Sequence, residues 1–455
     1  MRIRGGRSVR ALTGVTAVAS ALVTPTVASA APAPIVSDQS VVRTAGLDEV
    51  FGTYVVSTLT SGRLATQAEM DAGMRTDEPF YDAPALTGTE KPGTLLKVQP
   101  VEVLFSGVKP GKLDAYRIMF VTTGIDGVTP EISTGIVLVP DDGTPADQRR
   151  LISYQEANDS VGGYCHPSTQ WTGGDPMDGA SWSALGPLAL MFGKGYAVVI
   201  SDVGNNGDLS PHGVFAGRYA GHTQLDAIRA ATAVDEIGLR KDVPVGLFGI
   251  AGGGVGAAFA AESHAEYAPE LNITATVLEG MVVDQRTFMR TADGSVGSGF
   301  AFAALLGLEP KYPEMRIDEK LTPVGKKVAD WYRTQCQTPA YFTAPFVPLR
   351  TLFTSGQSPA DIPEFQHVYD DNLLGDRAPR SKVLIASCEK DDSPMSLVPA
   401  QDARDLAARY RAGGTDVTYA PSDCSMGRFF ADPYGWGTDL FGMQTIDWLS
   451  GNVTG

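Results

Sequence analysis

The sequence predicts an α/β fold: a mostly parallel sheet with helices on both faces, plus an inserted, mainly helical cap. Three observations lead there. From residue 196 onward, short apolar strands alternate with helical stretches, the mark of a parallel sheet buried on both sides. The strand-like segments 134–140 and 151–157 are joined too tightly for a parallel crossover, so the sheet should begin with antiparallel strands. About a hundred residues, 281–381, then separate two sheet strands, which is too long for a connection. Carrying AFAALLGL, KKVADWYRTQC and a Pro-rich stretch, they read as a helical layer over the strand ends.

Taken in order, residues 1–30 read as a secretory signal. Arg2, Arg4, Arg7 and Arg10 charge the start, an apolar run follows, and Ala28-Ser29-Ala30 is a small-x-small cleavage site. Thr, Ser and Pro25 interrupt the run, which argues against a membrane span. Residues 31–95, rich in Pro, Thr and Asp and without a period, are expected to form an extended arm. The first part of the core, 96–280, should hold strands near 99–106, 114–123, 134–140, 151–157 and 196–202, each β-branched or aromatic and bounded by turn residues. A helix around 215–237 follows, then VGLFGI (245–250), a small-residue helix, and ITATVLEG (273–280). After the insertion, the second part of the core, 382–455, offers KVLIASC (382–388) and a helix over 400–414, whose paired glycines suit a C-terminal cap. DVTYAP (416–421) and a helix near 439–449 close the chain.

The formal charge is −16, and removal of the four arginines with the signal makes it more negative by four. That balance argues against nucleic acid or an anionic membrane surface as partner. Four cysteines, Cys165, Cys336, Cys388 and Cys424, form a sparse even set in an exported chain. They point to disulfides, with three pairings open, and no C-x-x-C spacing suggests a zinc or redox site.

The stretch that carries chemistry is PVGLFGIAGGGVGAAFAAES (244–263). Strand, tight glycine turn and helix form the setting of the G-x-S-x-G nucleophile elbow. Gly249 and Gly253 occupy the two small positions, but the residue between them is Ala251. The next strand ends on Glu279, where a carboxyl at a carboxyl-terminal strand end can face a pocket, activate water or bind a polar ligand group. Gly249-x-Ala251-x-x-Gly254 followed by Glu279 is also a partial dinucleotide fingerprint, with alanine where the backbone must approach pyrophosphate. Dinucleotide binding is therefore the remote alternative.

On PFYDAP (79–84), KPGTLL (91–96), ISYQEANDS (152–160), CHPS (165–168), LDAIRAA (225–231), GGGVGAAFAAESHAEYAPELNI (252–273) and LVP (397–399), the chain resembles the secretory lipase family, the fungal and actinobacterial relatives of Candida antarctica lipase A. The resemblance implies an α/β-hydrolase fold with a helical cap. It also implies hydrolysis of triacylglycerols and other carboxylic esters without cofactor or metal. It places the family's nucleophile on Ala251, its oxyanion donors on Asp159 and Gly252, and its triad acid near Asp391 or Asp392. The triad histidine belongs in the loop after the last strand, but that loop reads SDCSMGRFF (422–430). All five histidines, His166, His212, His222, His264 and His367, precede it. The family's disulfide pattern pairs Cys165 with Cys336 and Cys388 with Cys424.

Ester hydrolysis on this fold needs an oxygen nucleophile, a base for its proton and donors for the oxyanion. Ala251 cannot supply the first, and the missing imidazole removes the second. Ser422 and Ser425 are stand-in nucleophiles by position only, and Met426 near the histidine position suits gap filling. The expectation is an exported homologue, catalytically impaired, that keeps a pocket for an apolar or acyl-ester small molecule. The alternative is an active lipase or esterase using other residues, such as Glu279 or an aspartate.

Overall fold

The computed structural model describes residues 46, 49, 50, 55, 61–74, 78–157, 161–205, 207, 211–337, 344–393 and 396–454. The expected signal segment 1–30 lies outside them. Nine strands build the main sheet: β1 (Leu95–Val101), β2 (Leu113–Thr123), β3 (Pro130–Pro140), β4 (Leu151–Gln155), β5 (Ala197–Ser201), β6 (Val245–Ile250), β7 (Ile273–Glu279), β8 (Lys382–Cys388) and β9 (Val417–Ser422). Their spatial order is β9-β8-β7-β6-β4-β5-β3-β2-β1. The pairs β1–β2, β2–β3 and β3–β5 are antiparallel; every other pair is parallel. Strand β5 sits between β3 and β4, so the tight β3–β4 connection never has to make a parallel neighbour.

Side-chain alternation decides which helices cover which face. In β6, Val245 and Leu247 point to the layer of helices α2 (Gly217–Ala231) and α3 (Gly252–Tyr267), with Leu225, Ile228 and Ala260. Phe248 and Ile250 point the other way, toward α1 (Gly179–Gly193) and the C-terminal helix α10 (Ile446–Asn452). Tyr154 of β4 stacks on Phe248 there, with ring centroids 5.3 Å apart. Both faces are therefore dry, as a parallel sheet requires.

Between β7 and β8, the described residues contribute no strand to the main sheet. They form α4 (Gln285–Ala292), α5 (Ser298–Leu308), α6 (Pro323–Tyr332) and shorter turns. Phe302, Leu305, Tyr332, Phe365 and Tyr369 give this segment its own core, continuous with Phe259 of α3 and Tyr410 of α7 (Ala400–Ala412). Two disulfides form, Cys165–Cys336 and Cys388–Cys424, the pairing the resemblance implied.

Several expectations shift. The first strand was expected at 99–106 but runs over 95–101, with Pro100 tolerated because β1 is an edge. Val103, Leu104 and Phe105 are instead buried beside Trp171. The arm is not wholly extended: Gln67–Gly73 is helical, held by a Thr66/Glu69 capping box that T-x-x-E spells out. The closing helix expected near 439–449 is split into α9 (Pro433–Leu440) and α10, preceded by a turn at Gly442, whose φ is +71°.

Candidate functional site

The elbow is built by exclusion of side chains. A Cβ on Gly249 would meet the Gly253 carbonyl at 2.5 Å and Ala257 Cβ at 2.6 Å. A Cβ on Gly253 would meet the carbonyls of Glu156 and Gln155 at 2.2 and 2.4 Å. Only glycine lets α3 start this close to β6 and β4. Between them Ala251 takes φ 49° and ψ −117°, a conformation L-residues rarely adopt. The strained turn that would expose a nucleophile is thus intact, and it presents a methyl group. The Ala251 N–H is anchored on the Glu279 carbonyl at 2.8 Å. Gly252 is the first residue of α3, in the turn whose N–H groups lack intrahelical acceptors.

Ala251 and Gly252 open into a cavity of 360 Å³ at the carboxyl ends of the parallel strands. Phe215, Phe288, Phe300, Leu397, Val398 and Phe441 make its wall mostly apolar. Its polar lining includes Glu279, Asp439, Ser387 and Ser422. The Cys388–Cys424 bridge ties the ends of β8 and β9 together at the cavity edge. Among the described residues, the wall contains no histidine, and no lysine or arginine that would meet a pyrophosphate.

The expected residues scatter. Asp159 lies outside the described residues. Asp391 is exposed and accepts the Ala400 N–H at 2.8 Å, serving the start of α7, and Asp392 is exposed; neither lines the cavity. Ser422 lines it, whereas Ser425 caps helix α8 (Met426–Ala431) by accepting the Arg428 N–H at 3.2 Å. Met426 is partly exposed and does not line the cavity.

The histidines lie away from the cavity. His166 Nδ1 lies 2.7 Å from the Asp202 carbonyl, and its ring stacks on His212 at 5.3 Å. Burial pushes the His212 imidazole well below its ordinary range, and the neighbouring His166 adds to that. His222 sits against Thr123 and the Gly124 carbonyl, stacked on Tyr267. His264 contacts the Leu271 carbonyl at 2.9 Å, and His367 pairs with Glu314 on the surface.

Glu279 is brought to the centre. It is 4% exposed and pairs in register with Ile250, the residue before Ala251. Burial pushes its carboxyl well above the ordinary range, and the negative charge of Asp439 adds to the shift. Asp439 and Gln444 were missed in the sequence because nothing in their spacing ties them to β7. Beneath the floor, Glu156 is buried and accepts the Trp171 indole N–H at 2.5 Å. Burial first, then Asp178 and Asp202, raise its carboxyl to about 8.

Comparison with known proteins fits this geometry. The family model for secretory lipase matches residues 187–449, more than half of the chain. The chain belongs to the secretory lipase family. A protein named "Probable inactive lipase MT1628", from Mycobacterium tuberculosis, is 31% identical over 362 residues, covering 75% of this chain and 76% of that protein. A secreted triacylglycerol lipase of Malassezia furfur, LIP2, is 29% identical over 264 residues; the match covers 57% of this chain and only 55% of that lipase. Among solved structures, Candida antarctica lipase A in its closed state superposes with a TM-score of 0.67 at 23% identity, covering 81% of this chain and 86% of that one. That likeness shows the fold, an α/β-hydrolase, as expected.

Proposed function

We propose that this secretory lipase family member is exported, cleaved near Ala30, and holds an apolar, acyl-bearing small molecule in the elbow cavity without hydrolysing it. The observation that carries the reading is Ala251: the elbow keeps its strained backbone and its glycine neighbours, yet offers no oxygen. An apolar cavity owes its shape to Phe288, Phe300 and Leu397 rather than to a triad, so binding can outlast catalysis. The "inactive" in the Mycobacterium tuberculosis relative's name agrees with this reading. Residues 281–381 would act as the cap that closes the cavity.

A hydrolase running on Glu279 is the competing reading, because that carboxyl lines the cavity. Its burial, which pushes the carboxyl well above its ordinary range, weighs against it, since a general base must be ionised before it can take a proton. The test is turnover of short and long p-nitrophenyl esters by the purified secreted protein, with lipid extraction of the same preparation. The proposal expects turnover no faster than the heat-denatured control and a co-purifying acyl compound. Turnover clearly above that control refutes it.

A further inference from the structure

Glu279 has an acid side chain at the polar end of an apolar cavity with little to satisfy it. The only hydrogen bond to its carboxyl among the described residues is a long one from Gln444 Nε2, at 3.5 Å. No lysine or arginine pairs with it among the described residues, whereas the Asp439 carboxylate in the same wall is held by Arg428 at 3.0 Å. The Glu279 side chain is also fixed in place. The Gly442 turn packs so closely that a Cβ there would meet Glu279 Cγ at 3.2 Å and Phe248 Cζ at 2.9 Å. Cross-strand pairing with Ile250 puts Glu279 on the face of the sheet where Ala251 packs.

A buried carboxyl without a cation keeps its proton, so Glu279 is both a donor and an acceptor. An apolar cavity disfavours an anionic head, because its lining holds no lysine or arginine among the described residues. A cationic head would require Glu279 to ionise. An uncharged carbonyl needs neither change.

We propose that Glu279 is the head-group anchor of the cavity, donating its carboxylic O–H to the carbonyl oxygen of an uncharged acyl ester whose chain lies against Phe288, Phe300 and Leu397. It selects esters over ionised fatty acids and over amines. This rests on the ligand-binding reading above and adds the residue that sets head-group choice.

The test titrates the full secreted protein at neutral pH with methyl dodecanoate labelled with carbon-13 at the carbonyl, and in parallel with dodecanoate and dodecylammonium. Wild type should bind the ester and move its carbonyl resonance downfield, with the two charged probes at least about tenfold weaker. Glu279→Gln keeps a donor and should bind the ester within about threefold of wild type. Glu279→Leu should bind it about three- to tenfold more weakly, with the resonance returned to its apolar-solvent position. Glu279→Met replaces the leucine variant if the latter does not fold. Equal ester binding by wild type and the apolar variant overturns the anchor alone. Tightest binding of dodecylammonium, abolished in Glu279→Gln, overturns it in favour of a cation site. Failure of all three probes to bind saturably refutes the ligand cavity itself and the anchor with it.

Discussion

Ala251→Gly should stabilise this protein, although glycine in place of alanine ordinarily does the reverse. At φ 49° and ψ −117°, Ala251 carries a methyl group in a region that glycine enters freely. Strain of this kind is worth about 1–3 kcal/mol. Against it stands the greater freedom of glycine in the unfolded chain, about 0.4–1 kcal/mol. The methyl is only partly buried, so its lost packing is a fraction of the ~0.8 kcal/mol of a fully buried carbon. The net gain is about 1 kcal/mol. Urea unfolding followed by tryptophan fluorescence reads it as a higher midpoint at unchanged slope. A midpoint lowered by the equivalent of about 0.5 kcal/mol or more would refute the claim that the turn is held under strain by its neighbours.

The remaining expectations follow from the same geometry. Gly253→Ala drives a Cβ into the Glu156 and Gln155 carbonyls, so it should destabilise by at least about 2 kcal/mol or prevent folding, read by the same urea titration. Glu156 has a folded value raised to about 8, so its contribution is fully present below the unfolded value near 4.5 and is lost as pH rises through 8. The loss is about 3 kcal/mol by pH 7. Glu156→Gln keeps an acceptor for Trp171 and should be more stable than wild type at pH 8 by a few kcal/mol, with little difference at pH 4.5; equal pH profiles would contradict this. Replacing Cys388 and Cys424 by serine opens a loop of 36 residues and should cost about 2–4 kcal/mol, while adding reductant to that double variant should change nothing further at this site.

The sheet was legible because its strands are branched, apolar and closed by turn residues; VGLFGI and KVLIASC are strands at the expected bounds. Helix α1 was not. Its residues are buried nearly all round, Pro187 lies inside it, and so no amphipathic period betrays it. The elbow could be read because Gly249 and Gly253, flanking Ala251, sit where no side chain fits. The cavity's other walls come from Gln337, Leu397 and Asp439, which lie far along the chain from β4, and one sequence carries no signal that joins them. The resemblance places a triad acid near Asp391 or Asp392, and in the structure the Asp391 carboxylate accepts the Ala400 N–H at the start of α7, a contact no single sequence signals.

Ester turnover by wild type and Ala251→Ser, measured side by side, tests most directly whether this protein can hydrolyse an ester. With no histidine lining the cavity among the described residues, a serine placed at the elbow has no partner to take its proton. Triad members act as a unit, so both proteins should stay at the level of residual catalysis, and the serine should gain no more than a few-fold. A rise of about a hundredfold or more in Ala251→Ser would reveal a working base in the cavity and contradict the reading of this protein as a binding member of its family.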